Sequence, residues 1–266
     1  MRCWRWLPVL LLGLTLGNAV AQSPAVANSV VPVGLLVIQP TRLPQSLQQF
    51  EGQDVFLPIA YGTGFVVSED GYVVTALHVV RKAQSRLPEI QASGKQLVVC
   101  LNQPVQPYEC KAVELVSTDD GNDLAILKIK SQKTTETLRA LPLTPERPMQ
   151  DTEVWAAGYP EREAGKLVVA SGRFASGNLA SDNRLDGDAA NNPSRTLWFA
   201  TMTAESGESG APVYLRDGSV IGMVVTRSDT QAITGFVPAR HVIDLLARSG
   251  VLNQAANNPP RVVAGP

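Results

Sequence analysis

The stretch that decides the reading is Ala204-Glu205-Ser206-Gly207-Glu208-Ser209-Gly210-Ala211-Pro212-Val213. It places a serine between two glycines and runs through Ala-Pro into an apolar segment. Gly207 and Gly210 lack the Cβ atoms that would block a tight backbone turn. Such a turn aims successive N–H groups at one point, which is how an oxyanion is held. Ser209 at its centre is a candidate nucleophile. It needs a base to take its proton and a third group to orient that base.

Histidine is the natural base near neutral pH, with an ordinary pKa of about 6.5. The chain has two. His241 stands beside Val242, Leu245 and Leu246, whose spacing marks a C-terminal helix between Pro238 and Gly250, and it reads as a surface or packing residue. His78 has a different setting. Residues 61–68 read as a strand, Glu69-Asp70-Gly71 as a tight hairpin turn, and residues 72–75 as the returning strand. His78 follows in Ala76-Leu77-His78-Val79-Val80, where one helical turn can close and side chains leave the sheet for a cleft. Asp123 fits best as the orienting acid. It ends the polar turn 117–123 and opens the apolar strand 124–129, where a carboxylate can be held partly buried. Asp119 and Asp120 lie too deep in that turn.

Working outward, residues 30–38, 97–101, 110–116, 153–160, 167–170, 196–201 and 233–237 read as further strands. Residues 212–215 and 220–225 pair across the turn Arg216-Asp217-Gly218-Ser219. The proline-bearing segments 39–58 and 131–150 read as exposed connections. Residues 171–195 read as a long polar loop, and its Asp182, Asp186 and Asp188 match no calcium-loop spacing. Many short strands with one terminal helix argue for an all-β barrel or sandwich.

The ends and the composition bound the rest. Arg2 and Arg5, the apolar run 7–16 and Ala19-Val20-Ala21 read as a signal peptide over residues 1–21, with an uncleaved anchor as the alternative. The protein is then exported, periplasmic or secreted, with no stable membrane insertion after cleavage. A net charge of -1 over 266 residues gives no field that would recruit nucleic acid. Cys3 leaves with the signal. Cys100 and Cys110 read as one disulfide closing a short loop, two free thiols being the alternative. Two histidines and no Cys-x-x-Cys suggest no metal site, and no cofactor is expected.

The order His78, Asp123, Ser209, with Gly207-Glu208-Ser209-Gly210-Ala211-Pro212-Val213, resembles the chymotrypsin-like serine proteases and their Gly-Asp-Ser-Gly-Gly-Pro-Val motif. Gly62-Thr63-Gly64-Phe65-Val66, the run Gly71 to Val80, and Asp123-Leu124-Ala125-Ile126-Leu127-Lys128 look more like the bacterial trypsin-like branch that includes the HtrA (Deg) proteases. The resemblance covers roughly residues 29–249. It implies an all-β fold of two six-stranded antiparallel β-barrels with a C-terminal helix. The first barrel, about 29–142, would carry His78 and Asp123. The second, about 150–238, would carry Ser209, followed by a helix over 239–249 and a flexible tail over 250–266.

The same resemblance implies a serine endopeptidase that hydrolyses protein or peptide substrates through an acyl-enzyme. Gly207 and Ser209 would supply the oxyanion-hole N–H groups. Thr203, Val225, Thr226, Arg227 and residues 235–237 would line the specificity pocket. Thr203 stands where trypsin-like enzymes place a carboxylate, so a Lys or Arg preference is not expected. A small or medium apolar side chain is, with an acidic one as the alternative through Arg227. Two positions depart from the pattern: Glu208 replaces Asp or Asn, and Ala211 replaces glycine. In animal zymogens the acid matching Glu208 pairs with a freshly cut N-terminus, but no Ile-Val-Gly-Gly start is present. About sixteen residues follow the helix, so the PDZ sensing of HtrA proteins is not expected. The competing reading is a catalytically idle domain that binds proteins. A secreted esterase on an α/β-hydrolase fold fails on order, because its histidine follows the serine. Oligomeric state is left open.

Overall fold

The apolar runs pair as antiparallel ladders, and each half of the chain closes on itself. The computed structural model describes residues 24–42, 45, 48, 51–52, 55–85, 91–101, 109–130, 138–163, 166–175, 195–228, 231–254 and 259–264. Strands β1 (Val30–Arg42), β2 (Val55–Ser68), β3 (Tyr72–Ala76), β4 (Gln91–Leu101), β5 (Glu109–Asp119) and β6 (Leu124–Ile129) form one closed barrel in the order β1-β2-β3-β6-β5-β4. Strands β7 (Glu153–Gly158), β8 (Val168–Ala175), β9 (Trp198–Ala200), β10 (Pro212–Tyr214), β11 (Val220–Arg227) and β12 (Thr234–Pro238) form a second. Its order, β7-β8-β9-β12-β11-β10, repeats the first. Closure leaves neither sheet with an open edge whose N–H and C=O groups lack partners. The helices are α1 (Pro24–Ala27), α2 (Leu77–Ser85), α3 (Ala239–Arg248) and α4 (Val251–Gln254).

The barrels differ in what fills them. The first is packed mainly with valine and leucine, among them Val33, Val66, Val73, Val99 and Leu127, all fully buried. The second centres on Phe174, Trp198 and Phe236, which meet edge to face. Its Trp155, Tyr159 and Met223 belong to the first core's cluster, so one apolar body runs across the seam. The Tyr159 hydroxyl donates to the Val30 carbonyl at 3.2 Å and ties β1 to the second half.

Several boundaries move from their sequence-based positions. Segment 39–58 is not one exposed loop: β1 runs on to Arg42 and β2 begins at Val55, because Val37 pairs with Val55 and Pro40 with Ala92. Likewise β8 extends to Ala175 through residues expected in a loop, since Phe174 and Ala175 pair with β9. β5 continues to Asp119, opposite Leu124, which shortens the polar turn before Asp123. The turn after β3 grows into nine-residue helix α2, because Leu77, Val79, Val80 and Ala83 find buried positions along one face. Within the expected tail, Leu143 donates to the Arg261 carbonyl at 2.7 Å and Val263 donates back to Leu143 at 2.8 Å.

Cys100 and Cys110 face each other on β4 and β5 and are joined by a disulfide. The expected signal peptide and Asp182, Asp186 and Asp188 lie outside the described residues. No helix among the described residues is long and apolar enough to cross a membrane.

Candidate active site

Asp123 enters β6 with φ 58°, a left-handed conformation that aspartate tolerates better than most residues. That bend lets one residue hold the start of α2 at two points. Its carbonyl accepts from the Leu77 N–H at 3.0 Å, and its Oδ1 accepts from the His78 N–H at 2.8 Å. A carboxylate against the first N–H groups of a helix is favourably placed. The other oxygen, Oδ2, lies 2.6 Å from His78 Nδ1. An ionised carboxylate only accepts, so Nδ1 carries the proton and Nε2 is left as the basic nitrogen. Asp123 is 7% exposed and His78 30%, so the acid is enclosed while the imidazole stays partly open to solvent.

The competing acids are committed elsewhere. Asp119 accepts from Asn122 and from Arg248 of α3. Burial raises its pKa, but these bonds outweigh burial and hold it below the usual carboxylate value. Asp120 pairs with Arg81 at the surface. His241 is half-buried on α3, where burial and Arg240 keep its imidazole below the ordinary value.

The Ser209 turn is held mainly through its carbonyls. Glu205 C=O accepts from Glu208 N–H at 3.1 Å, Ser206 C=O from Glu161 N–H at 2.8 Å, and Glu208 C=O from Ala211 N–H at 2.9 Å. The remaining two reach across the seam to Thr63 on β2. Thr63 Oγ1 donates to Gly207 C=O at 2.8 Å, and Thr63 N–H donates to Ser209 C=O at 2.8 Å. Gly210, at φ 91°, sits so close to the first barrel that a Cβ there would lie 1.9 Å from the Thr63 carbonyl and 3.1 Å from Ala76 N. Only glycine fits. The serine turn is therefore pressed against the end of β3, two residues before His78.

A cavity of about 410 Å³ opens beside the turn. Thr203 and Arg227 line it, together with residues 204–206 and Ser228. Val225 and Thr226 are not among its lining residues; each is 5% exposed on β11. Glu161 and Arg162, from the short turn Glu161–Glu163 after β7, add to its wall. Nothing in their local sequence marks them, because a loop joins this wall only after the barrel has closed. Thr63 was equally silent as a single residue, being one member of a Gly-Thr-Gly strand motif. Among the described residues, no group of three or more His, Cys, Asp or Glu could hold a metal ion.

Fold and geometry together define a class, and comparison with known proteins agrees. Residues 62–223 match the trypsin-like peptidase domain, and the chain belongs to that family. It is 31% identical over 203 residues to the mitochondrial serine protease HTRA2 of Bos taurus, covering 75% of this chain and 38% of that protein. It is 29% identical over 180 residues to a probable periplasmic serine endoprotease, DegP-like, of Halomonas elongata, covering 63% of this chain and 30% of that one. The chain thus spans about a third of the length of these relatives. Among solved structures, the Rv3671c protease of M. tuberculosis in its active form superposes with a TM-score of 0.59 at 22% identity, over 94% of each chain. That likeness concerns the fold.

Proposed function

We propose that this protein is a serine endopeptidase in which Ser209 is the nucleophile, His78 the general base and acid, and Asp123 the residue that orients it. The observation that carries the reading is the 2.6 Å bond between His78 Nδ1 and a carboxylate that also caps α2, next to the seam where the Ser209 turn docks. His78 Nε2 takes the Ser209 hydroxyl proton as Oγ attacks the scissile carbonyl. The developing oxyanion is received by the N–H groups of Gly207 and Ser209. Collapse of the tetrahedral adduct breaks the C–N bond, and His78 returns the proton to the leaving amine. Water then repeats the cycle and frees the acid.

Family membership and relatives named as serine proteases support protein or peptide substrates. Relatives named as periplasmic support export, in keeping with the signal pattern of residues 1–21. The cavity with Thr203 at one wall and Arg227 at another is the proposed specificity pocket. It has no wall placed to favour Lys or Arg alone, since Glu161 and Glu205 are matched by Arg162 and Arg227.

The test is a fluorophosphonate probe applied to the mature protein, with Ser209→Ala beside it and unfolded casein as substrate. The expected result is labelling and casein cleavage by the wild type and neither by the variant. Wild-type protein that stays unlabelled would overturn the reading in favour of an idle binding domain.

A further inference from the structure

Glu208 separates the two N–H groups assigned above to the oxyanion, yet the residue is only 2% exposed. Its side chain fills the space beside Gly158 at the end of β7, where a Cβ would lie 2.9 Å from Glu208 Cγ. The chain curls back on its own turn. Oε2 accepts from the Glu205 N–H at 2.5 Å, while the Glu208 N–H donates to the Glu205 carbonyl at 3.1 Å. These two bonds close residues 205–208 into a ring, much as a glutamate reaches back three residues to close a helix start. Gly207, at φ 99°, lies inside that ring. Oε1 is buried and has no hydrogen-bond partner among the described residues. Leaving a buried polar atom unpaired is costly, so the position is not one that a carboxylate would occupy for solvation.

We infer that Glu208 is a positioning residue: its carboxyl closes the 205–209 turn from within and so sets the directions of the Gly207 and Ser209 N–H groups. The inference rests on the acyl-transfer reading above. Where the resembling animal enzymes hold the matching acid with a cut N-terminus, glutamate has one more methylene and reaches the backbone of its own turn. The charged groups on this side are Glu205 on the same turn, Arg227 on β11, and Glu161 and Arg162, which line the same cavity. Burial is the largest influence on the Glu208 carboxyl. The bond from Glu205 N–H and the charge of Arg227 lower it, the charge of Glu205 raises it, and the balance leaves it at about 7. The neutral acid still accepts through its carbonyl oxygen. Ionisation instead leaves a buried charge with one unpaired oxygen, which strains the turn.

The experiment compares wild type with Glu208→Gln, Glu208→Asp and Glu208→Ala. It follows amide exchange at Glu205, the rate of fluorophosphonate labelling, and kcat and KM on a peptide substrate from about pH 5 to 9. Alanine and aspartate, which cannot reach Glu205 N–H, should lower kcat by about ten- to a hundredfold with KM changed less than about threefold. Exchange at Glu205 should quicken by about tenfold or more in both. Glutamine keeps an acceptor without the charge. It should retain kcat within about threefold and lose the wild type's decline above about pH 7. Should Glu208→Ala turn over and exchange like wild type, or Glu208→Gln fall as far as alanine, the inference is overturned. If alanine does not fold, aspartate against glutamine decides the same point. A wild type that takes no label would sink the functional reading alone, because exchange at Glu205 still reports whether Glu208 holds the turn.

Discussion

The two barrels share one strand order, but they prepare their parts of the site in different ways. The first presents side chains: Asp123 grips His78 at its backbone N–H and at Nδ1, within one turn and one helix start. The second presents backbone: the Ser209 turn is shaped by bonds to every carbonyl from Glu205 to Ser209, drawn from Glu208, Glu161, Ala211 and Thr63. A side-chain pair fails when one of its members changes. A backbone turn fails when any outside donor is lost, so residues that never touch substrate matter to it.

Breaking the chemistry itself gives the largest effects. Ser209→Ala should abolish probe labelling and lower kcat by on the order of 10⁴- to 10⁶-fold in a peptide assay. Asp123→Asn should keep His78 nearby but disfavour the required tautomer, with a kcat loss of about 10⁴-fold in the same assay. Thr63→Val is the sharper trial of the comparison. It leaves Gly207 C=O and Tyr159 N–H unpaired in buried surroundings. Urea titration should show a loss of about 1–3 kcal/mol. If the second barrel's turn depends on this first-barrel residue, kcat should also fall about tenfold with KM little changed.

The stability profile with pH separates the halves further. Glu208 has its folded pKa raised from an ordinary 4.5 to about 7. The folded state therefore binds the proton more tightly. The resulting stabilisation is complete below pH 4.5 and is lost as pH rises through about 7. Thermal melts from pH 4.5 to 8 should show wild type losing up to about 3 kcal/mol relative to Glu208→Gln. The smallest effect on activity belongs to the disulfide. Replacing Cys100 and Cys110 by serine opens a closure spanning a sequence separation of 10 in the first barrel. Stability should drop by about 2–3 kcal/mol, while kcat at 25 °C stays unchanged, because β4 carries none of the groups proposed for catalysis.

Much of this was legible in the residues. Alternation and turn signals marked most strands, and Asp-Gly at 70–71 marked the hairpin that leads to His78. The extensions of β1, β8 and β5 were not legible, because their polar or proline-bearing residues are held by partner strands rather than by their own propensity. Nor was the repeat of strand order in the two halves, which fill their cores with different side chains and need only the same pattern of closure. In the site, His78, Asp123 and Ser209 stood out because each sits in a local motif. Val225 and Thr226 were named for the pocket by family position alone; both are buried on β11 and neither lines the cavity. Arg162 gave no signal, since a loop becomes a wall only when the far side exists.

By itself, then, the sequence determined the order of the chemical groups and the Gly-x-Ser-Gly turn. Both depend on residue type and near neighbours: glycine permits the bend, and serine, histidine and aspartate have fixed chemistries. Tertiary structure alone decided what holds that turn from outside. Thr63 lies 144 residues from Gly207 in the chain yet donates to it at 2.8 Å. The buried Glu208 side chain packs beside Gly158 at the end of β7, a neighbour distant in sequence, and burial raises its carboxyl. The Thr63 contact arises only when the two closed barrels pack against each other, and the Glu208 contact with β7 only when the second barrel closes, which no local pattern can record.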